Sequence, residues 1–142
     1  MVAAMQQVDV RAGGRAYPVY IGEGLLPRLA TLLDTVQAPA RRLVVSSPTI
    51  WRLHGASLPK ALRAEPAILV PDGEKNKTLA SVSRIYDALA RAGADRATTV
   101  VAFGGGVVGD VAGFAAATYL RGIPCVQVAT TLLAQVDSAI GG

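Results

Sequence analysis

The sequence predicts an α/β fold in which a mostly parallel sheet is flanked by helices and preceded by a β-hairpin. Three observations carry this. Short apolar runs without polar alternation, "RLVVSS", "AILV", "TTVVAF" and "CVQVAT", read as strands covered on both faces. Segments with apolar residues at helical spacing lie between them, and glycine and proline punctuate the joins. Strands alternating with helices favour a parallel, Rossmann-like arrangement from about residue 41 onward.

In chain order, "VDVRAGGRAYPVYIG" alternates apolar and polar residues about Gly13 and Gly14, which predicts a hairpin with arms near 8–11 and 16–21. Apolar residues at 25, 26, 29, 32 and 33 predict a helix, with Pro27 tolerable in its first turn. "RLVVSS" is a buried strand ended by Pro48, and "AILV" a second one, followed by the turn residues Pro71, Asp72 and Gly73. Positions 79, 82, 85, 86 and 89 mark an amphipathic helix to about Ala92, with Thr78 as N-cap and Gly93 as stop. "TTVVAF" is the next strand, the alanine-rich segment 111–119 the next helix, and "CVQVAT" the last strand. "TTLLAQVDSAIGG" reads as the start of an element whose partner lies downstream, so residues 1–142 are expected to form the first domain of something longer.

Composition narrows the function classes. At 142 residues and 51% hydrophobic content the chain is long and apolar enough to bury a core. Fourteen basic and ten acidic residues leave a net charge of +4, spread along the chain, which suits anionic small molecules. Basic and aromatic residues are not interleaved, so no nucleic-acid partner is expected. The apolar region 97–142 is interrupted by Asp110, Arg121, Asp137 and many glycines, so it reads as buried core and no membrane span is expected. A single cysteine, Cys125, excludes an internal disulfide framework and fits a reducing cytoplasm; the N-terminus carries no signal-peptide pattern. Cys125 is expected to be a buried strand residue and His54, the only histidine, a surface or helix-terminal one; the two cannot build a zinc site between them.

The chemistry concentrates at three strand ends. Gly104, Gly106 and Gly109 satisfy G-x-G-x-x-G directly after a strand and before a helix. Bare backbone there lets N–H groups approach a pyrophosphate, assisted by the helix N-terminus; a glycine turn that permits close helix-to-sheet packing fits the same residues. The motif follows a late strand, no acid stands about twenty residues on, and no Lys-Ser/Thr pair closes a P-loop. Asp110, placed in the first turn of the following helix, reads either as a structural N-terminal acid or as a carboxylate near a cofactor. The loop "PDGEKNKT" sets Asp72, Glu74, Lys75 and Lys77 at a second strand end, and Thr130 and Thr131 stand at a third. Open α/β sheets bind ligands at this edge, and the convergence is stronger than any one motif.

"PDGEKNKT" followed by "FGGGVVGDVAGFAAATYLRGIPCVQVATTLLAQVDSAIGG" closely resembles the N-terminal domain of the 3-dehydroquinate synthase family, over roughly residues 71–142. Sugar-phosphate cyclases of the 2-deoxy-scyllo-inosose synthase type are its nearest relatives by motif. The resemblance implies a phosphorus–oxygen lyase of the shikimate pathway that uses NAD and a divalent metal, zinc or cobalt. Its metal ligands, one Glu and two His, lie in a helical C-terminal domain absent from this chain, and the full-length enzyme is expected to be a homodimer. The reaction it implies takes 3-deoxy-D-arabino-heptulosonate 7-phosphate to 3-dehydroquinate and phosphate through a transient oxidation of a secondary alcohol, with no net redox change.

Carried across by motif, Asp72, Glu74 and Lys77 would contact the adenosine side of NAD. Gly105, Gly106, Val107, Gly109 and Asp110 would hold the pyrophosphate and nicotinamide ribose, and Thr130, Thr131 and Leu133 the adenine and ribose side. Asp137 would meet substrate hydroxyls, and Arg121 would reach the substrate phosphate across a dimer interface. Where the family often has Asp and Asn after its second core strand, this chain has Ser47 and Thr49, whose hydroxyls can replace those hydrogen bonds. The chain ends one residue before the lysine expected after "SAIGG", so alone it should not catalyse the full reaction. Two alternatives stay open: half of a sibling cyclase, or a standalone nucleotide-binding module.

Overall fold

The computed structural model describes residues 4–140. An antiparallel hairpin of β1 (Gln6–Ala12) and β2 (Arg15–Ile21) precedes the domain core. Gly13 and Gly14 turn it with φ of 56° and 79°, the doubly left-handed geometry that a two-residue hairpin loop requires. The predicted arms are therefore right, and each extends further.

A 3₁₀ turn at Leu26–Arg28, containing Pro27, leads into α1 (Leu29–Thr35), so the regular helix starts later than the apolar spacing predicts. The core then runs β3 (Arg41–Ser46), α2 (Pro48–His54), β4 (Ile68–Leu69), α3 (Leu79–Arg91), β5 (Thr98–Gly104), α4 (Gly106–Thr118) and β6 (Cys125–Ala129). All three strand pairings in this sheet are parallel, in the order β4-β3-β5-β6.

Side-chain alternation along the strands divides the core into two layers. Leu43, Val45, Val100 and Ala102 pack with Val82, Ile85 and Leu89 of α3 and with Val108, Val111, Ala112, Ala115 and Ala116 of α4. Val44, Val101 and Phe103 point to the other face, against Leu29 and Leu33 of α1, Ile50 and Trp51 of α2, and Leu58 and Leu62. Every residue of β5 is buried, as expected of a central parallel strand covered on both sides. The alanines of α4 let its axis lie close to the sheet.

Four expectations need correction. Pro48 ends β3 but also starts α2: Ser47 is the N-cap, its hydroxyl accepting from the Ile50 amide at 3.4 Å, and proline at the first helical position lacks only an amide with no helical partner. α4 begins at Gly106 and not at 111, because the glycines that weaken helix propensity are compensated by burial of Val108, Gly109, Val111 and Ala112. Asp110 consequently lies in the second turn of α4, beyond the unpaired first-turn amides. Cys125 is exposed, on the edge strand β6. His54 is exposed at the end of α2, as expected. "TTLLAQVDSAIGG" continues as a short helical segment that widens to a π turn at Ala134–Ser138; Gly141 and Gly142 of that stretch lie outside the described residues.

Candidate functional site

The strand order reverses between β3 and β5: the chain leaves β3 toward β4 on one side, then crosses back to β5 and β6 on the other. At such a switch point the loops diverge and a crevice opens beyond the carboxyl ends of the strands. The ends of β3 and β5 are tied together there by the buried Ser46 hydroxyl, which donates to the Phe103 carbonyl at 2.7 Å. The three polar strand ends predicted from sequence flank this point.

The glycine turn follows β5. Gly105 is the N-cap of α4 and supplies no side-chain cap, so the first amides of the helix are left facing the loop. Each glycine has a distinct steric reason. A Cβ on Gly104 would lie 2.6 Å from Val108 Cβ, and one on Gly105 would lie 3.0 Å from Thr131 Cγ2. One on Gly106 would lie 3.2 Å from Ser138 Oγ, and one on Gly109 would lie 2.7 Å from Gln127 Oε1. Gln127 also donates to the Gly109 carbonyl at 3.0 Å, pinning α4 to β6. Gly104 and Gly109 thus serve packing, while Gly105 and Gly106 keep the approach to the helix N-terminus clear beside Thr131 and Ser138. Val107 packs, partly buried, against the α3/α4 layer.

Thr130 and Thr131 follow β6. The Thr130 amide donates to the Gly104 carbonyl at 3.0 Å, so this loop lies directly on the glycine turn. Thr131 Oγ1 accepts from the Ala134 amide at 3.3 Å and caps the next helical segment. Among the described residues, only Thr130 Oγ1 and Ser138 Oγ are buried side-chain polar atoms with no hydrogen-bond partner. Buried hydroxyls are normally satisfied, so two orphans beside one loop mark a place built for an external polar group. Neither Ser138 nor Gln127 belongs to a motif of its own in the sequence, although Ser138 lies within the stretch "QVDSAIGG".

Across the crevice, Asp72 follows β4. Its Oδ2 accepts from Thr49 Oγ1 at 2.9 Å and from the Thr49 amide at 3.3 Å. Its carboxyl is held below the usual aspartate range, first by hydrogen bonding to the Ser47 hydroxyl; burial opposes this, and the hydroxyl and amide of Thr49 add to the lowering. Ser47 and Thr49 therefore act together on Asp72. The Asp72 carbonyl accepts from Asn76 Nδ2 at 2.7 Å, which shapes the loop.

Lys77 joins this loop to the glycine helix, with Nζ 2.9 Å from Glu74 Oε1 and 2.9 Å from Asp110 Oδ2. The hydrogen bonds to Glu74 and then Asp110 hold its ammonium well above the usual lysine range. These side chains are substantially exposed, so the bridge orients the loop more than it stabilises the fold. Beside it opens a cavity of about 290 Å³ lined by Leu79, Val82, Val111 and Phe114.

The remaining candidates stand apart from these contacts. Leu133 is 64% exposed and Asp137 is exposed on the π turn. Arg121 is exposed after α4, where Leu120, Arg121 and Gly122 have φ of 49°, 69° and 111°. Left-handed backbone at a leucine and an arginine costs about 1–2 kcal/mol each. Among the described residues Arg121 has no ion-pair partner, and no group of three or more His, Cys, Asp or Glu side chains is placed to hold a metal.

Known proteins resemble the chain closely. It is 51% identical, over 97% of its length, to 3-dehydroquinate synthase of Pelotomaculum thermopropionicum, and 49% identical, over 97%, to that of Pseudomonas entomophila. It spans about 38% of the length of each of these relatives. Among solved structures, 2-deoxy-scyllo-inosose synthase complexed with carbaglucose-6-phosphate, NAD+ and Co2+ superposes with a TM-score of 0.73 at 27% identity, covering 94% of this chain and 38% of that one. The 2-epi-5-epi-valiolone synthase of Streptomyces hygroscopicus, with NAD+ and Zn2+ bound, gives 0.65 at 32% identity, covering 81% of this chain and 34% of that one. Residues 67–142 match the family model described as 3-dehydroquinate synthase N-terminal, and the chain belongs to that family.

Proposed function

We propose that residues 1–142 form the NAD-holding half of a cytoplasmic 3-dehydroquinate synthase, acting on 3-deoxy-D-arabino-heptulosonate 7-phosphate in a dimeric full-length enzyme. The observation that carries the cofactor reading is the glycine turn at the switch point, with the orphaned hydroxyls of Thr130 and Ser138 beside an uncapped α4. These residues fit a dinucleotide. Gly105, Gly106 and the first amides of α4 would hold the diphosphate through backbone hydrogen bonds and the helix dipole. Thr130, Thr131 and Leu133 would line one side, and Asp72, with Ser47 and Thr49 behind it, the adenosine side. Glu74 and Lys77 would border the site, and Asp110 would approach the nicotinamide ribose.

The bound NAD supplies reversible hydride transfer at a secondary alcohol. The chain's own part is to bind and orient that group and to present Asp137 toward substrate hydroxyls and Arg121 toward a substrate phosphate. No described group of three or more His, Cys, Asp or Glu side chains is placed to hold the divalent metal, whose ligands, as the family resemblance implies, would come from the remainder of the enzyme. A sibling cyclase substrate is the second reading, favoured by the superposition on 2-deoxy-scyllo-inosose synthase.

Calorimetric titration with NAD+ tests the cofactor reading. Saturable binding that is lost in Gly105→Val is expected. A flat titration at millimolar NAD+ would overturn it.

A further inference from the structure

We propose that the free edge of β1 is a self-association surface that pairs antiparallel with β1 of a second copy, across a two-fold axis at Val10; this is independent of the cofactor reading above. The hairpin has little to hold it in place. It packs on itself and only marginally on the rest of the domain, and it contributes no side chain to either core layer. None of its residues is buried. Yet its register puts Val8, Val10 and Ala12 of β1 on one face with Tyr17, Val19 and Ile21 of β2, an apolar surface on which Val8 is 49% and Ile21 51% exposed. A lone two-stranded ribbon is marginal in water and gains independent stability from further strands along an apolar face.

The turn decides which edge is open. In a two-residue hairpin loop the flanking pair, here Ala12 and Arg15, exchanges both backbone hydrogen bonds, so the next bonded pairs fall at Val10–Tyr17 and Val8–Val19. The amides and carbonyls of Gln7, Asp9 and Arg11 therefore face outward from β1. On β2 the outward positions are Ala16, Pro18 and Tyr20, and Pro18 has no amide to give, which closes the middle of that edge. Pro18 and the turn agree on the same ladder.

Charge selects both the occupant and the register. With Val10 opposite the partner's Val10, Asp9 lies opposite the partner's Arg11 and Arg11 opposite the partner's Asp9, and these are the residues whose outward backbone groups exchange hydrogen bonds. Moving the axis one residue either way sets Asp9 on the partner's Asp9 or Arg11 on the partner's Arg11, which repel. Both side chains are exposed, with Asp9 accepting from Gln7 Nε2 at 2.9 Å, and among the described residues neither is in an ion pair. The joined ribbons make a four-stranded sheet whose apolar face runs unbroken through the two Val10 side chains.

The test is sedimentation equilibrium of the 142-residue chain. An interface built on one strand edge belongs to the small, weak class, so a dimer dissociation constant on the order of 10 µM is expected. Asp9→Arg and Arg11→Asp each turn two attractive cross-strand pairs into two repulsive ones and should weaken the dimer about 10- to 100-fold, without unfolding the core, to which neither side chain contributes. Mixed one to one, the two variants should associate at least as tightly as the wild type, because the all-basic edge of one then faces the all-acidic edge of the other. The double variant, which only exchanges the two charges, should recover the wild-type constant. A wild type that stays monomeric up to about 1 mM would overturn the proposal. So would a dimer that neither single variant weakens, or one that mixing them does not restore; these results leave the cofactor reading standing.

Discussion

Gly104→Ala is the sharpest perturbation of the glycine turn, because the atom it meets cannot step aside. The added Cβ would lie 2.6 Å from Val108 Cβ, 2.7 Å from Cγ2 and 3.0 Å from Cγ1. Ordinary contact between such carbons is about 3.5–4.0 Å, so about 1 Å must be found. Rotating Val108 does not help, since its Cβ is fixed to the helix backbone. The whole start of α4 must shift, and Val108, Ala112, Ala115 and Ala116 are at most 3% exposed against the sheet. Overpacking of this kind costs about 1–3 kcal/mol, and the rigidity of the neighbours places Gly104→Ala near the upper end. At about 2.1 cal/mol/K per residue, unfolding 142 residues carries an entropy of about 0.3 kcal/mol/K. A fall in melting temperature of about 10 °C follows, measurable by circular dichroism. Adding Val108→Ala should not restore it, because the closest clash is with Cβ. A Gly104→Ala melting temperature within about 2 °C of wild type, or full rescue by Val108→Ala, would refute the reasoning.

The other predictions rest on separate contacts. Gly109→Ala meets Gln127 Oε1 at 2.7 Å, the far end of an exposed side chain, so it should cost under about 1 kcal/mol, seen as a melting shift of at most about 3 °C. Lys77→Met removes both exposed bridges and should leave the melting temperature within about 2 °C while lowering NAD+ affinity in the same titration. Asp72 has a folded pKa below its unfolded value, so its contribution is present above about pH 4 and is lost as pH falls through the folded pKa. The melting difference between wild type and Asp72→Asn should accordingly shrink between pH 7 and pH 3; a constant difference would show that ionisation of Asp72 does not matter.

Much of the fold was legible locally. Gly13-Gly14 between alternating arms specifies a hairpin, and Thr78 with Gly93 brackets α3, where Thr78 Oγ1 accepts from the Ser81 amide at 3.2 Å and Gly93 takes φ of 64°. α2 is less legible, because Pro48 signals a strand stop as well as the first turn of a helix capped by Ser47. The start of α4 is hidden in the sequence because Gly106 and Gly109 obscure helical propensity, and because α4 is apolar almost all round and shows no polar face from which to read its period. Of the candidate site, Gly105, Gly106, Thr130 and Thr131 lie side by side in the structure, and the turn and cap chemistry of each pair is encoded by adjacent residues.

The sequence by itself determined the α/β class, the hairpin, the polar strand ends and the family resemblance, all of which depend on residues a few positions apart. Only the tertiary structure decided that Thr49 holds Asp72 across 23 positions, that Lys77 bridges to Asp110, and that Ser138 lies beside Gly106. Those pairings depend on the strand order β4-β3-β5-β6, which sets loops from distant segments side by side. Strand order is chosen by burial of both sheet faces at once, a balance over the whole core that no local period in the chain records.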